Sequence, residues 1–238
     1  MTASLYPAGF YEDRRAHTVH AARRLLAALP PSLPRASVAD IGCGTGTWLA
    51  AALADGAETA FGIEGDWVTP AMLDDARIAF APQDLEQRFS GPRVDLAMSL
   101  EVAEHLSSER AVSFVADLVA LAPAVLFSAA LPGQGGVGHR NEQWQSWWAE
   151  LFATHGYLAY DVIRPVIWSD EDIPAWYRQN AVLYLDATAA VGLASTPPAL
   201  LDRVHPAFWN RANRELQYAN ALPESEVLQR QAEAAQQQ

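Results

Sequence analysis

The spacing of apolar residues changes several times along the chain, and each change predicts an element. In residues 12–29, Ala16, Val19, Ala22, Leu25, Leu26 and Leu29 recur at helical spacing between charged positions. That pattern predicts a helix, ended by Pro30, Pro31 and Pro34. A short apolar run at 38–41 predicts a buried strand, and an Ala/Leu-rich run at 47–54 predicts a helix. Further strands are expected at 58–64, 78–81, 94–100, 124–129, 157–163 and 181–186. Between them, helices are expected at 70–76, 107–121 (capped by Ser107 or Ser108) and 141–155, with a last one over 206–222. Strands alternating with helices imply an α/β, doubly wound, mostly parallel seven-stranded sheet covered on both faces. The expected organisation is an N-terminal helical cap (1–36), a core (37–190) and a C-terminal helical extension (191–238) with a loose tail. Residues 163–180 are expected to form an insertion over one rim of the sheet.

The first strand runs into Asp40-Ile41-Gly42-Cys43-Gly44-Thr45-Gly46-Thr47. Three alternating glycines let a backbone turn tightly and approach a ligand closely, and the helix that follows turns its free N–H groups toward that turn. A dinucleotide site needs G-x-G-x-x-G; here the third glycine comes one place early, and Thr47 fills the dinucleotide position. Ligands of such sheets lie outside the carboxyl ends of the strands. The glycine turn, Glu64, Asp84, Glu101 and the glycine-rich loop 132–139 all follow strands, so they should share one rim.

Charge and cysteine content narrow the partners. The net charge is −12 and all sixteen basic residues are Arg. No basic cluster appears, which argues against duplex nucleic acid. No apolar run reaches the roughly 20 residues needed to cross a bilayer, and the first residues lack the pattern of a secretory signal. A single cysteine excludes an internal disulfide and fits a reducing, cytoplasmic setting. Cys43 reads as a small filler inside the turn. His17 and His20 read as structural, and a homodimer is compatible with the composition.

The D-x-G-x-G-x-G pattern resembles motif I of the Rossmann-like (class I) S-adenosylmethionine-dependent methyltransferases. The resemblance covers residues 38–186 and implies an S-adenosyl-L-methionine cofactor. It implies that Gly42, Gly44 and Gly46 line the amino-acid end of the cofactor, that Asp40 holds its ammonium group, and that Trp48 and Leu100 flank it. Glu64, the acid ending the second strand, would take the ribose diol, with Asp66 as fallback. Asp84 would meet the adenine amino group and Leu85 the ring.

Glu101-Val102-Ala103-Glu104-His105 carries the most specific chemistry. If the segment is helical, Glu101, Glu104 and His105 share one face and form a mixed O/N metal site suited to Mg²⁺, Mn²⁺, Fe²⁺ or Zn²⁺. The spacing resembles the metal-dependent O-methyltransferases of the ubiquinone pathway and of small-RNA 2′-O-methylation. In the small-RNA enzymes a later histidine completes the site; His139 occupies that place here. The resemblance therefore implies metal-assisted methylation of a small-molecule hydroxyl, as in specialised metabolism. Metal-free N-, C- or carboxylate methylation with His105 or His139 as base is the alternative, and a non-catalytic cofactor-binding module a second. Trp168, Trp176 and Tyr177 in the insertion are candidates to face the acceptor, and Arg140, Arg164 and Arg178 to hold a substrate anion. Trp144, Trp147 and Trp148 read as anchors of their helix.

Overall fold

The computed structural model describes residues 8–190 and 192–221. One compact unit runs to Arg203 and a second begins at Val204. The first holds seven strands: β1 (Ser37–Ile41), β2 (Thr59–Glu64), β3 (Ala79–Pro82), β4 (Leu96–Leu100), β5 (Ala124–Ser128), β6 (Leu158–Tyr160) and β7 (Val182–Leu185). They form one sheet in the order β3-β2-β1-β4-β5-β7-β6. Strands β1 to β5 pair in parallel, and β7 runs antiparallel to both β5 and β6.

The helices are α1 (Ala8–Ala27), α2 (Thr47–Ala54), α3 (Ala111–Leu121), α4 (Gln145–Ala153), α5 (Arg164–Ile167), α6 (Ala175–Asn180) and, in the second unit, α7 (Pro206–Ala221). Because successive strand residues point to opposite faces, the buried strands sort into two cores. Val38, Leu96, Met98, Leu126 and Leu183 pack with Leu25, Leu26 and Leu49 of α1 and α2. Ala39, Ala97, Val125, Phe127 and Tyr184 pack with Phe114 and Leu118 of α3 and Trp148 and Phe152 of α4. Both faces being apolar explains why these strands read as unbroken hydrophobic runs.

Several expectations are corrected. The helix expected at 70–76 is only a 3-10 turn, Pro70–Met72. Residues 108–110 likewise form a 3-10 turn before α3, and the Ser107 side chain, expected as a cap, bonds Glu86 instead. Helix α4 starts four residues later than expected, with 141–144 belonging to the loop before it. Helix α1 starts earlier and takes in Phe10 and Tyr11, expected to precede it. The expected loose tail lies outside the described residues. After β7 the chain returns to the sheet, where Thr196 N–H donates to the Ala159 carbonyl on β6. No helix among the described residues is long and apolar enough to cross a membrane.

Arg164 is fully buried rather than a substrate contact. It makes a two-pronged ion pair with Asp161 (2.7 and 2.8 Å) and donates to the carbonyls of Gln179 and Leu201. The insertion is thereby locked to the strand before it and to the segment closing the unit. Removing one partner of a buried pair leaves the other charge uncompensated. Arg164→Met should therefore lower the unfolding free energy by about 3–5 kcal/mol, measured by urea denaturation; an unchanged midpoint would rule out this clamp.

Candidate active site

The chain turns at the carboxyl end of β1 because Gly42 adopts φ +83°. A Cβ there would lie 2.4 Å from Val102 Cγ2, so a side chain is barred by both conformation and space. Behind the turn Asp40 is buried, and its Oδ2 has no hydrogen-bond partner. Burial, reinforced by the charge of Glu64, pushes its pKa up to about 8. Glu64, at the end of β2, accepts the N–H groups of Gly44 (3.0 Å) and Gly65 (2.9 Å). Burial raises its pKa, and those two N–H groups oppose the rise. Cys43 is a buried thiol whose pKa is raised by burial and by both carboxylates, which makes it an inert filler.

Strand β4 ends beside β5, with Leu100 opposite Ser128. The next residue, Glu101, has φ +58° and is the only non-glycine residue with positive φ among those described. Such a conformation costs about 1–2 kcal/mol and is held here from both sides. Its N–H donates to the Ser128 carbonyl and hydroxyl. Its carboxylate accepts from Asn180 (3.0 and 3.3 Å) and Gln134 (3.4 Å). Ala103–His105 follow as a 3-10 turn, so Glu101, Glu104 and His105 are gathered by a strained corner and not by the expected helix.

Glu104 is fully buried and neither of its carboxylate oxygens makes a well-formed hydrogen bond; the Ala130 backbone and the Glu101 carboxyl act on it more weakly than burial does. Burial first, and the Glu101 charge second, hold its pKa well above the usual carboxylate range. The loop after β5 returns over this corner, with Arg140 and Asn141 N–H both donating to the Glu104 carbonyl (2.8 and 3.0 Å). The loop brings His139 edge-on to His105, ring centroids 4.8 Å apart. One ligand atom each from Glu104, His105 and His139 lies within 4.8 Å of the others. The His105 pKa is lowered, by burial first and then by His139, against a raising hydrogen bond to the Gly138 backbone. Glu101 stands beside this group, but its oxygens are engaged by the amides.

The remaining predicted residues divide. Trp48 is buried edge-on against Tyr177 of α6, centroids 5.2 Å apart. Leu85, in the turn after β3, and Leu100, the last residue of β4, are buried, while Asp84 is exposed, accepting the Glu86 N–H. Arg140 pairs with Glu86, and the buried Arg178 donates to the Trp168 carbonyl. Trp148 anchors α4 against Phe127, as expected, whereas Trp144 is exposed. His20 pairs with Asp170, which Arg24 also engages. The site residues missed in sequence are the amides Gln134, Gln179 and Asn180, which are joined to one another. Their positions, 134 and 179–180, carry no motif.

A methyltransferase-domain family model matches residues 11–160; the chain belongs to that family. Its fold is that of the S-adenosylmethionine-dependent methyltransferases. Human N-acetylserotonin methyltransferase in complex with S-adenosylmethionine is similar (TM-score 0.51, 13% identity, 78% of this chain, 60% of that one). So is magnesium protoporphyrin IX methyltransferase of Synechocystis PCC 6803 with bound S-adenosylhomocysteine (0.52, 16%, 76% and 89%). The pyocyanin biosynthetic protein PhzM is a third (0.55, 12%, 77% and 60%). The chain thus spans about 60% of the first of these structures. It matches no curated protein.

Asp40 offers a test of this electrostatic reading. Folded, it keeps its proton to about pH 8; unfolded, it loses it near 3.8. Between those values the folded state binds more protons, so this contribution to stability falls as pH rises. Relative to Asp40→Asn, the wild type should lose stability through that window, by at most about 1.4 kcal/mol per pH unit. Thermal melts across pH measure this, and parallel profiles for the two proteins would contradict it.

Proposed function

We propose that this protein is an S-adenosylmethionine-dependent methyltransferase acting on a hydroxyl of a small molecule, assisted by a divalent cation. The observation that carries the proposal is the buried Glu104 carboxylate, without a well-formed hydrogen bond, beside two imidazoles on the rim that bears the glycine turn. An uncompensated buried carboxylate is costly, and either a proton or a cation relieves it. The unpartnered Oδ2 of Asp40 makes the same demand at the neighbouring strand end, where an ammonium group meets it.

In this reading Asp40 holds the amino group of the cofactor, with Gly42, Gly44 and Gly46 giving its amino-acid end room. Glu64 takes the ribose hydroxyls; each carboxylate oxygen has a second lone pair beyond the one given to Gly44 or Gly65. Asp84 and Leu85 take the adenine end, and Trp48 and Leu100 flank the cofactor. The cofactor supplies an electrophilic methyl group. Glu104, His105 and His139 hold the cation, with Glu101 beside them. Two imidazoles with carboxylate favour Mn²⁺, Fe²⁺ or Zn²⁺ over Mg²⁺. Such a cation supplies Lewis acidity that lowers the pKa of a hydroxyl. The protein's own task is alignment: Tyr177 and the amides of Asn180 and Gln134 fix the wall beside Glu101.

Small acceptors are supported by the similar structures, whose names include a pyocyanin biosynthetic protein, and by the acidity of the chain. The metal-free reading rests on His105, whose lowered pKa leaves a neutral imidazole able to accept a proton. Calorimetry and turnover separate the two. Asp40→Ala should weaken S-adenosylhomocysteine binding about 10–100-fold through loss of a charge-assisted hydrogen bond; unchanged affinity would remove Asp40 from the site. His139→Ala should leave that affinity intact and lower turnover on the order of 100-fold. EDTA should act as His139→Ala does. Full activity in EDTA would favour the metal-free reading.

A further inference from the structure

Glu142 has no place in the chemistry above, yet its carboxylate is one of the most heavily used on the rim. Its Oε1 lies 2.7 Å from His139 Nδ1 and accepts the Gly135 N–H at 2.9 Å. Its Oε2 accepts the Gly133 N–H at 2.8 Å. One side chain therefore ties the start of the glycine loop, at Gly133 and Gly135, to the imidazole at its end. Both partners are largely buried, with 13% of the His139 and 19% of the Glu142 side chain exposed. The ring packs against the loop itself: a Cβ on Gly136 would stand 2.1 Å from His139 Nε2.

We infer that Glu142 is a positioning residue that holds His139 as the Nδ1–H tautomer, leaving the lone pair on Nε2, in a ring that stands beside Glu104 and His105. A neutral imidazole has one donor and one acceptor nitrogen, and the partner of one nitrogen decides the role of the other. A carboxylate accepts only, so the proton must sit on Nδ1. A carboxylate behind a ligating histidine also makes the ring a better donor to a cation and sets its orientation. The two backbone N–H bonds keep Glu142 itself from rotating. The inference extends the proposed function, since the cation is the reason to present Nε2.

Two variants test it: Glu142→Leu offers Nδ1 no acceptor, and Glu142→Gln is isosteric but uncharged. The first readout is independent of any metal: ¹⁵N chemical shifts of the His139 ring, taken at alkaline pH where the ring is neutral. Wild type should show protonated Nδ1, and Glu142→Leu a shift toward the Nε2–H tautomer. The same tautomer in both proteins would overturn the inference. The second readout is Mn²⁺ affinity by equilibrium dialysis, expected to fall about 10–100-fold in Glu142→Gln, with S-adenosylhomocysteine affinity and melting temperature nearly unchanged. A tautomer change with undiminished Mn²⁺ affinity would overturn the link to the cation. If wild type itself binds no Mn²⁺ while the tautomer change is seen, the metal reading fails and the positioning role of Glu142 stands. Glu142→Asp, which keeps the charge at shorter reach, should restore part of both signals; a purely structural clamp would respond to side-chain length alone.

Discussion

Two buried carboxyl groups without a counter-charge, at the carboxyl ends of β1 and β4, are the constraint on which this molecule turns. Asp40 and Glu104 are buried side chains that leave three carboxylate oxygens without a well-formed hydrogen bond. Stability alone would replace such groups, since burying an unpaired charge is among the most expensive things a fold can do. They can be kept only as protonated acids or as partners of a cation. The two sites lie on adjacent paired strands, β1 and β4, so one bound assembly with two positive centres would serve both.

The rest of the rim is arranged around that deficit. Glu101, three residues before Glu104, has its oxygens occupied by Asn180 and Gln134, so the two acids have different environments despite their proximity. Glu64 is likewise supplied with backbone donors. The strained φ of Glu101 belongs to the same economy: backbone strain persists where surrounding bonds over-determine it, and such places tend to be functional. The antiparallel β7 follows directly from α6, whose last residue is Asn180, so the final hairpin of the sheet delivers an amide donor to the end of β4.

The sheet was legible from the sequence because apolar runs bounded by glycine and proline are local signals. The glycine turn was legible for the same reason, since Gly42 performs a function no other residue can at φ +83°. The corner at Glu101 was misread because spacing of three and four residues is satisfied by a 3-10 turn after a strand as well as by a helix. Arg164 was misread because nothing local distinguishes a cation that pairs with a buried Asp161 from one facing solvent. Gln134 and Asn180 were invisible for a further reason: they meet Glu101 across 33 and 79 residues of chain, and uncharged amides have no periodicity. Glu142 stood in view three residues from His139, and only the fold shows that it closes the loop on itself.

The most direct test of this account is a crystal of the protein grown with S-adenosylhomocysteine and Mn²⁺, with diffraction collected for anomalous scattering. The account predicts an anomalous peak bounded by Glu104, His105 and His139, and a nucleoside on the glycine turn with its amine hydrogen-bonded to Asp40. A bound nucleoside with flat anomalous density at that cluster would contradict the claim that a metal cation answers the buried charge of Glu104.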